Sequence, residues 1–128
     1  MVPCHIVVDG NPAILYTSRH GSPAKVLPTL TRFLDKFWQE RDTSGETSDT
    51  PECLLAQIVV RFGFELCEDD FSNLRVGLKF RPDVQYLYRV KSDRTVTVYV
   101  PDEAYCQNPQ VGLEGCHVLE ESSSVALA

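Results

Sequence analysis

No segment of this chain approaches the roughly 18 to 20 consecutive apolar residues that a membrane span requires. The opening Met1-Val2-Pro3-Cys4-His5 has neither a basic lead nor an apolar stretch, so no secretory signal is expected. Basic charge is scarce: 12 Lys and Arg face 18 Asp and Glu, for a formal charge of -6. Phosphate backbones and anionic lipids are met by clustered Lys and Arg, which argues against nucleic-acid and membrane partners. The five cysteines form no C-x-x-C pair. An odd count without a signal peptide points to reduced thiols in a cytoplasm. Neither G-x-G-x-x-G nor a Walker loop occurs, and no Ser-His-Asp arrangement has motif support.

What is present begins with Val84 to Val100. Val84, Tyr86, Tyr88 and Val90 alternate with Gln85, Leu87, Arg89 and Lys91, which is the period of a strand. Ser92-Asp93-Arg94 interrupts with turn chemistry, and Thr95 to Val100 resumes the alternation. Together they predict an antiparallel hairpin with one face at least partly solvated. Cys4 to Val8, Asp9-Gly10-Asn11-Pro12 and Ala13 to Ser18 predict another.

Between the hairpins the period becomes helical. Gly21-Ser22-Pro23 offers an N-cap and a first-turn proline, and Val26, Leu27, Leu30, Phe33, Leu34, Phe37 and Trp38 follow at helical spacing. Pro28 should kink the first turns, and the regular helix is expected to begin there. Asp42 to Thr50 is a polar linker. Thr50-Pro51-Glu52 then opens a second helix with Leu54, Leu55, Ile58, Val59 and Phe62 on its apolar face. Arg75 to Phe80 predicts one more strand. After Pro101 the periodicity stops, and Gly112, Gly115 and the serines at 122–124 suggest an irregular, partly mobile tail. The expectation is therefore one α+β domain over 1–101 and a tail over 102–128. Its order is β-β-α-α-β-β-β, a two-layer fold with two helices on one face of a mainly antiparallel sheet.

Four constellations could carry chemistry. Arg19-His20-Gly21, between a strand and a helix, resembles the R-H-G signature of the histidine phosphatases. That resemblance implies phosphotransfer with His20 as nucleophile and Arg19 as phosphate clamp; a helix entry is the structural alternative. Cys4-His5 and Cys116-His117 would supply four zinc-type ligands, although not at a usual spacing. Glu68-Asp69-Asp70 offers hard oxygen ligands for a divalent cation such as calcium, whereas Asp42, Glu46, Asp49 and Glu52 fail the register of a calcium loop. Cys53, in the first turn of the second helix, is expected to be core.

Taken together, Tyr16, Gly21, Pro23, Val26, Leu27, Pro28, Phe33, Leu34, Tyr86, Leu87, Tyr88, Val90, Val98 and Tyr99 form a recognisable pattern. It resembles a group of small bacterial and phage α+β proteins that takes in the cyanobacterial calcium-binding protein. The loop Asp and Tyr of that group are His20 and Ser22 here. The resemblance bears on the fold; the leading functional expectation is a cytoplasmic, non-enzymatic binding domain, with a divalent cation such as calcium as a candidate ligand at Glu68, Asp69 and Asp70. Phosphotransfer through His20 and Arg19 stands as one alternative. Interaction with another protein through exposed aromatic residues such as Tyr99 or Tyr105 is the other.

Overall fold

The computed structural model describes residues 2–45, 50–65 and 74–123. The first hairpin forms as the alternation predicts: β1 (Cys4–Val8) pairs antiparallel with β2 (Ile14–Thr17). Gly10 takes a left-handed backbone, φ 87°, at the turn, where Cβ-free backbone is favoured. Asn11 stitches the turn by accepting from the Ala13 N–H and donating to the Pro51 carbonyl 40 positions later.

Helix α1 (Pro23–Ser44) starts at Pro23 and runs through Pro28, so Pro28 does not mark its beginning. At the sixth helical position Pro28 removes one backbone donor, the one that would bond the Ala24 carbonyl, and the helix continues past that single lost bond. The helix also continues three residues into the polar stretch, to a left-handed Gly45 whose N–H caps the Arg41 carbonyl. Helix α2 (Thr50–Glu65) follows, then β3 (Leu74–Gly77), β4 (Tyr86–Val90) and β5 (Thr95–Pro101).

The β4–β5 hairpin closes with Arg94 at φ 71°, which costs a non-glycine residue conformational strain. Two restraints hold it there. Its guanidinium bonds the Asp42 carboxylate of α1 at 2.8 Å and lies 4.8 Å from the centre of the Trp38 ring.

These strands and a sixth, β6 (Cys116–Ser123), join one sheet in the order β3-β2-β1-β4-β5-β6. Every neighbouring pair is antiparallel except β1 with β4. The fold is α+β, with α1 and α2 on one face of a mainly antiparallel sheet. Val26, Leu30, Leu34 and Ile58 from the helices meet Cys4, Ile6, Leu15, Tyr88, Val90, Val96 and Val98 from the strands, all essentially buried. Each such side chain contributes about 1.5 to 3 kcal/mol through removal from water. This is the main core.

The reading of residues after Pro101 as an irregular tail is corrected for 102–123; residues 124–128 lie outside the described residues. A short helix α3 (Glu103–Gln107), a 3-10 segment (Pro109–Gly115) and an edge strand β6 (Cys116–Ser123) follow, and β6 pairs with β5 along Thr95–Pro101. Tyr105 is fully buried against Val84, Leu87 and Tyr16, giving the second sheet face a small core of its own. Gly115 permits this fold-back, because a Cβ there would lie 2.8 Å from the Tyr105 nitrogen. The rest of that face is polar, as the alternation predicts: Arg89 holds Asp9 in a two-pronged bond, and Thr97 and Lys91 reach Glu121.

Candidate functional site

The loop carrying Arg19 and His20 follows β2, a strand antiparallel to both its neighbours. Both side chains are exposed. His20 adopts φ 61°, and its Nδ1 lies 3.3 Å from the Lys25 ammonium. An ammonium can only donate, so that nitrogen accepts and the proton of a neutral ring sits on Nε2. Gly21 is what the fold needs at this point. Its N–H donates to the Val2 carbonyl, its carbonyl accepts from the buried Tyr88 hydroxyl at 2.6 Å, and a Cβ would come within 2.4 Å of Val2. The other two histidines are engaged elsewhere, His5 inside the sheet and His117 beside Asp102.

The four-ligand zinc arrangement does not assemble. Cys4 is on β1 and Cys116 on β6, three strand spacings apart, or roughly 14 Å. Cys4 faces the helices, whereas His5 faces the opposite side. Among the described residues no three His, Cys, Asp or Glu side chains converge as a metal site. Glu68, Asp69 and Asp70 lie outside the described residues, as do Glu46 and Asp49. Asp42 is taken up by Arg94, whose hydrogen bond holds its carboxyl below the usual range. Cys53 packs against the main core, as expected. Burial pushes the Cys116 thiol up to about 11, away from thiolate chemistry.

His5 has a role that its place in the sequence did not suggest. It is 1% exposed, stands edge-on to Tyr16 and Phe80, and uses both ring nitrogens on backbone. The Arg81 N–H donates to Nε2 at 2.9 Å, so Nδ1 carries the proton and donates to the Leu15 carbonyl at 3.2 Å. Burial lowers its pKa and keeps the ring neutral. Around it, Arg81 lies 4.2 Å from the Tyr16 ring centre, Tyr16 donates to Asp83, and Tyr105 donates to the Arg81 carbonyl. Both His5 ring nitrogens and the Tyr16 and Tyr105 hydroxyls are thus bonded within the chain. The cluster is a clasp that ties the segment leaving β3 and helix α3 to the sheet. The one signal in the sequence was the alternation that sets His5 opposite Cys4 and Ile6.

The expectation of exposed aromatic contacts is also corrected for Tyr105, which is fully buried, while Tyr99 is half-buried against the second core. Exposed apolar surface is found at the sheet edges instead. Of six large apolar side chains exposed among the described residues, four stand on or beside the outermost strands. Val76 is 54% and Leu78 74% exposed at β3, and Val118 is 56% and Leu119 50% exposed on β6. The two edges differ in charge. Residues 74–82 contain Arg75, Lys79 and Arg81 and no acid, whereas residues 114–123 contain Glu114, Glu120 and Glu121 and no Lys or Arg.

No helix among the described residues is long and apolar enough to cross a membrane. No protein-family model matches the chain, and comparison with curated proteins and with solved structures finds no similar one. The fold is an α+β domain whose six-stranded sheet has β3 and β6 as its outer strands among the described residues. Its functional reading rests on that geometry.

Proposed function

We propose that this chain is a non-enzymatic interaction domain that binds an extended, acidic protein segment by adding it as a strand beside β3. The observation that carries the reading is the concentration of exposed apolar side chains on the two outermost strands. An outer strand offers unpaired N–H and C=O groups, and proteins normally shorten or cover such an edge. β3 is short, but Val76 and Leu78 extend its apolar character well beyond what burial requires. In strand addition, main-chain bonds supply affinity and alternate side chains supply selectivity. Arg75 and Lys79, interleaved with Val76 and Leu78, favour a partner that alternates acidic and apolar residues.

The test is a fluorescein-labelled peptide of four Glu-Val repeats, followed by anisotropy and by backbone amide shifts. The expected outcome is binding that weakens with salt, shifts amides in residues 74–79, and falls at least about tenfold in an Arg75→Glu/Lys79→Glu variant. Absence of binding at about millimolar protein, or shifts that leave 74–79 untouched, removes the reading.

A further inference from the structure

The chain leaves β3 at Gly77 and enters β4 at Tyr86, and the crossing between them is fastened by side chains. The Phe80 carbonyl accepts from Gln110 at 3.0 Å. The Arg81 N–H donates to His5 at 2.9 Å, and the Arg81 carbonyl accepts from Tyr105 at 2.6 Å. Tyr16 adds a bond to the Asp83 carboxylate at 2.7 Å. The fasteners come from β1, β2, α3 and the 3-10 segment, so the crossing and α3 are held to the sheet as a unit.

One of these bonds depends on a titratable acceptor. A neutral imidazole has a single acceptor nitrogen, and in His5 that is Nε2, which the Arg81 N–H occupies. A proton on Nε2 makes it a donor facing a donor, so the Arg81 bond is lost. The ring has no second acceptor to offer, since Nδ1 already donates to the Leu15 carbonyl. Tyr16 and Phe80 pack edge-on against it at 5.7 and 5.5 Å. The titratable and charged groups around the ring come from each packed element: Tyr16 on β2, with Arg75 of β3 paired beside it, Arg81 and Asp83 on the crossing, and Tyr105 on α3. Burial opposes the imidazolium most strongly; the Leu15 carbonyl and Asp83 favour it, and Arg81 opposes it.

We propose that His5 is a proton-operated latch: protonation of Nε2 releases the Arg81 N–H and lets the 78–83 crossing, with α3 docked on it, lift from the sheet. Opening uncovers the second core, where Tyr16, Val84, Leu87 and Tyr105 pack with Phe80. The main core contains no side chain of the crossing, so α1 and α2 stay seated when the latch opens. The proton enters the open form preferentially, and acid therefore pulls the equilibrium toward opening. With an ordinary imidazole in the open form, that pull reaches about thirtyfold between about pH 7.5 and 5.0. The latch acts on the flank beyond β3 and does not require strand addition at its edge.

Native-state amide exchange on the full chain, corrected for the intrinsic effect of pH, tests this at about pH 7.5 and 5.0. Protection should fall at least about tenfold at Arg81 and at the α3 amides of Cys106 and Asn108, which bond the Asp102 and Ala104 carbonyls. Low urea should speed these amides less than the slowest ones of Tyr86–Val90, the mark of a local opening. Nitrogen-15 spectra of the ring should show His5 still neutral at about pH 6. His5→Gln keeps a donor and an acceptor but takes up no proton, and should abolish the response to pH. Four results would each overturn the latch: a His5 ring that titrates at its ordinary value, Arg81 protection indifferent to pH, opening as steep in urea as that of the slowest amides, or a pH response that persists in folded His5→Gln. Where that variant does not fold, the ring spectrum and wild-type exchange decide by themselves.

Discussion

Two backbone groups, the Arg81 N–H and the Leu15 carbonyl, hold the His5 ring in one neutral tautomer. The consequence for pH follows from the direction of its shift. Its folded pKa lies below 6.5, so below that pH the unfolded chain takes up a proton that the folded chain refuses. Stability is therefore fully present above about pH 6.5 and declines as pH falls below it, until the folded ring itself titrates. The Asp42 and Asp93 carboxyls are held below 3.8 by hydrogen bonds from Arg94 and Thr95, and their contributions are lost only in more acid solution. Urea titrations from pH 7.5 to 5 should show this slope in wild type. A His5→Ala variant should lack the same component and lose about 2 to 4 kcal/mol at pH 7.5, from a cavity and two orphaned backbone groups. An unchanged slope in that variant would rule out His5 as its source.

At the scale of elements, α3 and β6 extend the domain past Pro101. Tyr105 locks them down, filling the second core and donating to the Arg81 carbonyl at 2.6 Å. Tyr105→Phe removes only the hydroxyl, for an expected loss of about 1 kcal/mol. Tyr105→Ala also empties the site, for about 3 to 5 kcal/mol. Chemical denaturation of both variants checks the order; equal, negligible losses would mean that α3 contributes nothing to the fold. The register of β6 explains why its strand pattern was hard to see. An irregularity falls between its pairings with Val98 and Tyr99, leaving Leu119 without an opposite residue and breaking the period of two. Its neighbours Val118 and Glu120 are both exposed, so inward and outward positions look alike. In β4 the opposite holds: Tyr88 and Val90 face the helices and Arg89 the polar side, which keeps the alternation intact.

Across the molecule, β1 and β4 are flanked by strands on both sides and roofed by α1 and α2, while β3 and β6 each have a strand neighbour on one side only among the described residues. Opening energies should follow that gradient. Amide exchange should be slowest in Cys4–Val8 and Tyr86–Val90 and fastest, among the strands, in Leu74–Gly77. Faster exchange in β1 than in β3 would contradict this layering.

The amino-acid order alone determined both hairpins, both long helices, their apolar faces and the α+β class, because those rest on local periodicity and on turn and cap residues. It also marked Gly21 as part of a helix entry, with the close approach to Val2 supplying the physical reason. Only the tertiary structure decided that β1 lies parallel to β4, that His5 clasps Arg81, that Tyr105 is core, and that basic and acidic edges end up on opposite flanks. Each depends on contacts between residues far apart in the chain, up to 76 positions for His5 and Arg81. A short window of sequence carries no trace of which distant strand becomes a neighbour, nor of which strands are left without one.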